Sequence, residues 1–153
     1  MNRTGFIKTS NAKINQLYSN TLWSQRDNFL DIPTDCPQRD ERMGWTGDAQ
    51  VFAKTACYNY DVKKFFKKWL GDLRAEQRDN GSIPDIVPNF CNIPRSSTAW
   101  GDVMNVIPMQ LYMMYGDKKD LEENFDAMKK WVDYMTNDNK IQYTNGTRFS
   151  FAF

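Results

Sequence analysis

The sequence contains no histidine. A Ser-His-Asp triad, a Cys-His dyad and a histidine-ligated metal are therefore absent from its chemistry. Acid–base work falls to carboxylates, with Lys, Tyr or Cys as weaker players. Cysteine is scarce: Cys36, Cys57 and Cys91 are an odd count without C-x-x-C spacing, which argues against a disulfide framework and a zinc site. Neither sign of charge is in excess, with 20 Lys+Arg against 19 Asp+Glu. A net charge of +1 gives no broad field toward nucleic acid or a membrane surface. No apolar run reaches the roughly 20 residues of a membrane-spanning helix. The opening Met1–Phe6 lacks the apolar core of a signal peptide. We expect a soluble chain with no nucleic-acid or membrane partner. Its compartment stays open, since a leader could lie upstream. Low-complexity segments and clear sequence repeats are also missing.

Aromatics, by contrast, are plentiful at 14% of 153 residues. Most suit a core, but indoles also fit the flat C–H face of a pyranose. The chemistry is concentrated in Asp35-Cys36-Pro37-Gln38-Arg39-Asp40-Glu41-Arg42-Met43-Gly44-Trp45-Thr46-Gly47-Asp48-Ala49-Gln50. Pro37, Gly44 and Gly47 make most of this run an ordered loop, with Asp48 as the cap or first turn of a helix to about Tyr58. Acids from loop and helix start then converge beside an indole.

The remainder reads as helices. Ser10 would cap a first helix carrying Ile14, Leu17, Tyr18, Thr21 and Leu22 and ending by Asn28. Asp61 would cap a third, with Val62, Phe65, Phe66, Trp69, Leu70 and Leu73 as a wide apolar stripe. Lys63, Lys64, Lys67 and Lys68 lie off that stripe as a solvated face. After Asp79-Asn80-Gly81 comes a long proline-rich loop to Arg95, of a length usually functional or flexible. A helix from Ala99 to Tyr115 stops at Gly116 and is kinked or shifted at Pro108. Another, starting near Asp117 or Lys118, carries Leu121, Phe125, Met128, Trp131, Val132 and Met135. Residues 140–143 read as a short strand before an Asn145-Gly146 turn. With almost no alternating pattern elsewhere, the fold class is all-α.

The Asp35–Gln50 run resembles the catalytic-domain motif of the family 78 glycoside hydrolases, the α-L-rhamnosidases, and the likeness extends from about Ser10 to Trp131. The resemblance implies that residues 1–153 are a single partial domain, roughly the N-terminal half of an (α/α)6 barrel. The abrupt apolar ending Phe149–Phe153 is consistent with that. It implies inverting hydrolysis of terminal α-L-rhamnose from a glycoside or polysaccharide, without a cofactor or metal. Glu41 matches the general acid. Asp35 and Asp48 match acids that bind sugar hydroxyls, Arg39 a hydroxyl-binding arginine, and Trp45 and Trp100 aromatic pocket walls. The general base matches a glutamate farther downstream, so this chain by itself is expected to be inactive.

The residues alone leave other readings open. An acid–arginine loop can be a salt-bridged surface turn with Asp48 as a cap. Trp45 and Trp100 can be core residues, Asp102 a cap for the fourth helix, and Cys36 a packed thiol. Glycosidic cleavage needs a protonated carboxyl and a second carboxylate, and neighbouring charge or an indole helps keep a carboxyl protonated. Glu41 has such neighbours; Glu76, Glu122 and Glu123 suit solvated helix faces. Two alternatives remain: a non-catalytic carbohydrate-binding module and a helical interaction domain whose exposed faces self-associate.

Overall fold

The computed structural model describes residues 1–144, so the Asn145-Gly146 turn and the Phe149–Phe153 run lie outside the described residues. The described chain is helical: α1 (Ala12–Asn28), α2 (Thr46–Asn59), α3 (Lys63–Glu76), α4 (Thr98–Gly101), α5 (Val103–Tyr115), α6 (Lys119–Glu122) and α7 (Phe125–Thr144). Extended pairing among the described residues is limited to the isolated bridges Arg3–Tyr60, Phe29–Pro33 and Trp45–Ile86. The all-α reading holds. None of the described helices is long and apolar enough to cross a membrane.

Several boundaries differ from the sequence reading. Asn11 rather than Ser10 caps α1, its side-chain oxygen accepting the Lys13 and Ile14 amides at 2.9 and 3.4 Å. Both residue types cap well, and only the chain path separates them. The helix expected over 99–115 is broken at Asp102, not at Pro108, which lies inside α5. There Trp131 fills the space of a side chain at position 101, where a Cβ would come within 2.3 Å of its ring, and Trp131 Nε1 donates to Asp102 Oδ1 at 2.9 Å. Gly116 ends α5 in the left-handed region at φ 71°, as a terminating glycine should. Residues 140–143 are helical, not a strand. Their four-residue alternation is too short to interrupt a helix already running from Phe125.

The stripe on α3 is buried as read: Phe66, Trp69, Leu70 and Leu73 are inaccessible, joined by Met104, Ile107 and Leu111 of α5 and Trp131 of α7. α5 packs against α2, α3, α6 and α7 and forms the hub. The stripe on α1 is largely exposed at Ile14 and Leu17, with Leu22 as its buried member. The lysine face of α3 is less solvated than expected. Lys67 Nζ pairs at 2.7 Å with Asp120, which is fully buried, and Lys63 pairs with Asp117 at 2.8 Å.

The long proline-rich segment holds the main surprise. Gly81–Val87 is buried throughout and threads beside the acidic loop. Val87 N–H donates to Gly44 O at 2.9 Å, and Thr46 N–H to Asp85 O at 2.9 Å. A Cβ at Gly44 would stand 2.1 Å from Val87 O, so only glycine permits this approach. By contrast, a Cβ at Gly71 in α3 would meet nothing closer than 3.8 Å. Gly44→Ala should therefore cost on the order of 1–3 kcal/mol, while Gly71→Ala is neutral or gains up to about 1 kcal/mol. Urea unfolding of both variants checks the contrast; equal midpoints would contradict it.

Candidate active site

The acidic loop between α1 and α2 is folded around Asp35. Its backbone N–H donates to Met43 O at 3.0 Å, and its Oδ1 accepts the Met43 amide at 3.1 Å. Those two bonds close Cys36–Arg42 into a loop that presents Arg39 and Glu41. Arg42 turns the chain with a left-handed φ of 53°, uncommon for a residue with a side chain and a form of strain found at functional sites.

Arg39 bridges two carboxylates. Its Nε donates to Glu41 Oε2 at 2.6 Å and its Nη2 reaches Asp35 Oδ2 at 3.4 Å. The other Glu41 oxygen, Oε1, accepts the Trp45 indole N–H at 3.1 Å. Four of the residues singled out in the sequence thus form one bonded cluster. The Arg39 guanidinium is itself exposed, and Asp35 is almost covered. The cation of the cluster is thus the member open to solvent.

Asp48 stands in the first turn of α2, with Trp45 in the cap position. Its carboxyl is raised above the ordinary carboxylate range, first by partial desolvation and then by the negative charges of Asp35 and Glu41, against a lowering contribution from its own backbone N–H. Asp48 and Asp35 line a cleft of about 230 Å³ together with Asn28, Phe29, Pro33 and Phe52. Glu41, Arg39, Trp45 and Trp100 are not among its lining residues.

Trp100 joins from α4. Its indole lies against Gly47, where a Cβ would be 3.0 Å from the ring, and its Nε1 is buried without a hydrogen-bond partner among the described residues. Sequence reasoning missed Asp85, Arg95 and Ser97, which hold this wall. Asp85 is buried, accepts from Ser97 N–H and Oγ–H at 2.6 and 2.8 Å, and pairs with Arg95 Nε at 2.8 Å. The available signal was one acid inside Ile83-Pro84-Asp85-Ile86-Val87, an apolar run with no surface to offer it.

Among the described residues, Asp35, Cys36 and Glu41 are the one grouping whose ligand atoms could share a metal ion, all lying within 4.8 Å of one another. Arg39 already sits against both carboxylates as their cationic partner. Asp102 serves the fold by receiving Trp131. Cys36 is buried, and its thiol is pushed up by desolvation and by Asp35, against a lowering hydrogen bond from the Arg42 backbone.

The chain is similar to known proteins in both structure and sequence. In structure the chain is similar to the α-L-rhamnosidase from Dictyoglumus thermophilum, with a TM-score of 0.86 and 43% identity over 89% of this chain and 15% of that one. It is also similar to the Streptomyces avermitilis α-L-rhamnosidase solved with L-rhamnose, with a TM-score of 0.83 and 42% identity over 85% and 13% of the two chains. In sequence it is 54% identical to an α-L-rhamnosidase of Formosa agariphila over 86% of this chain, and 46% identical to one from Alteromonas sp. strain LOR over 82%. The chain spans 14% of the length of each of these two relatives. Residues 2–152 match the model of the bacterial α-L-rhamnosidase six-hairpin glycosidase domain, and the chain belongs to that family.

Two measurements test the electrostatics. Because the folded state raises the pKa of Asp48, folding binds more protons than the unfolded chain, and this group's contribution to stability falls as pH rises through the ordinary carboxylate range toward the raised value. Asp48→Asn should therefore gain stability relative to wild type between pH 3 and 7, read from urea midpoints; a gain that shrinks as pH rises would contradict the assignment. Burial likewise raises Cys36, and it raises Cys57 to about 11, whereas Cys91 is exposed. Iodoacetamide at pH 8 should label Cys91 well before the other two by mass spectrometry. Equal rates would contradict the buried placement.

Proposed function

We propose that the polypeptide carrying this domain hydrolyses terminal α-L-rhamnose from a glycoside or polysaccharide with inversion, and that Glu41 is its proton donor. Family membership supports the substrate class. The observation that carries the residue assignment is the cluster in which Arg39 and Trp45 hold the two oxygens of Glu41 separately, beside Asp35. On this reading a bound rhamnose draws Arg39 onto a hydroxyl, freeing Glu41 Oε2 to carry the proton delivered to the departing glycosidic oxygen. Asp35 and Asp48 bind the remaining hydroxyls and face the cationic transition state with negative charge. Trp45 and Trp100 are the walls of the pocket.

The geometry argues against Asp35 as the partner that activates water. One of its oxygens lies within 4.8 Å of one of Glu41, whereas an inverting pair stands about 6.5–9.5 Å apart to admit the water. On the family resemblance, the base is a glutamate farther along the complete protein. Glu76 lies on α3, Glu122 ends α6 and Glu123 follows it, where Glu123 is paired with Lys67 at 3.7 Å. In this account residues 1–153 are one part of an (α/α)6 barrel and carry no turnover alone. Exposed Met109 and Met113 on α5, with Leu17 and Trp23 on α1, support self-association of the isolated chain.

The test is hydrolysis of an aryl α-L-rhamnoside by the full-length polypeptide and its Glu41→Gln variant. Loss of the acid should lower kcat on the order of a hundredfold. The loss should be larger for a poor leaving group than for an activated aryl one. No turnover by wild type, with rhamnose affinity kept in Glu41→Ala, would favour a carbohydrate-binding module instead.

A further inference from the structure

We propose that Asp85 is a positioning residue for the sugar pocket, fixing the distance between the Trp100 wall and the acidic loop; the proposal rests on the reading of Trp100 as a pocket wall. Asp85 is attached to both sides at once. Its main-chain oxygen accepts the Thr46 amide at 2.9 Å and the Thr46 hydroxyl at 3.0 Å, next to Trp45 and Gly47. Its carboxylate holds the Ser97 amide and hydroxyl and the Arg95 guanidinium. Ser97 then anchors α4, since the Trp100 and Gly101 amides donate back to Ser97 O at 3.1 and 2.9 Å. Arg95 lies over the Trp100 ring, 5.7 Å from its centroid, while the ring's other support is Gly47 on α2.

A carboxylate with 2% exposure is a costly way to fill space. An apolar residue of similar size often serves stability as well or better. What an apolar residue cannot do is orient three donors from one point. Asp85 does so while its backbone is locked to the start of α2, so the indole and the acid-bearing loop share one reference residue.

The experiment measures kinetics of Asp85→Asn in the full-length polypeptide with p-nitrophenyl α-L-rhamnoside, in wild-type and Trp100→Ala backgrounds. Asn keeps the size but turns an N–H₂ toward the Ser97 and Arg95 donors. KM should rise about tenfold, the scale of one charge-assisted hydrogen bond, with kcat within about threefold. In the Trp100→Ala background the same change should leave KM nearly unmoved, because the wall it positions is gone. Hydrogen exchange of a peptide covering residues 95–104 should quicken in Asp85→Asn. Arg95→Ala, altering a half-exposed side chain, gives the same reading if Asp85→Asn does not fold. An unchanged KM, or an equal rise in both backgrounds, overturns the proposal while leaving the rhamnosidase reading intact. A wild type inert toward the rhamnoside overturns both.

Discussion

The structure depends on the junction where the buried segment Gly81–Val87 runs against the first residues of α2. Two backbone hydrogen bonds, Val87 to Gly44 and Thr46 to Asp85, hold it. Trp69 Nε1 pins it to the core by donating to Val87 O at 3.1 Å. Buried irregular backbone must have all of its polar groups satisfied, and here the acidic loop supplies several of the partners. The chemistry-bearing loop is consequently built into the core rather than draped over it. That explains how a run with almost no apolar content keeps an ordered arrangement.

On this frame the electrostatics are compact. Two carboxylates brought within 4.8 Å of each other repel, and the Arg39 guanidinium between them offsets that repulsion. Solvent reaches Arg39 but hardly Asp35. The member of the cluster most open to exchange is therefore the cation, as the proposed binding of sugar hydroxyls requires. The raised Asp48 carboxyl follows first from its partial burial and then from the two negative neighbours Asp35 and Glu41, against the lowering hydrogen bond of its own backbone N–H.

The parts legible in the sequence were those with a period or a motif. Phe66, Trp69, Leu70 and Leu73 announced a buried helix face through their spacing, and the Asp35–Gln50 run announced its family. The stripe on α1 has a similar spacing, yet Ile14 and Leu17 are exposed; periodicity tells which face is apolar, not whether this chain covers it. Gly81–Val87 has neither alternation nor helical period, and its burial follows from contacts with Gly44 and Thr46 far back along the chain. Asp85 and Asp120 were invisible for a related reason. A buried acid is recognised by its partners, Ser97 and Arg95 for one and Lys67 for the other, and those partners are set by packing rather than by local order.

The most direct test of the account is the crystal structure of the full-length polypeptide with L-rhamnose. The account places the sugar ring between Trp45 and Trp100, with hydroxyls on Asp35, Arg39 and Asp48 and the anomeric carbon nearest Glu41. Arg39 should have released Glu41 Oε2. Rhamnose bound elsewhere, or bound here with the Arg39–Glu41 pair intact and Trp100 untouched, would contradict it.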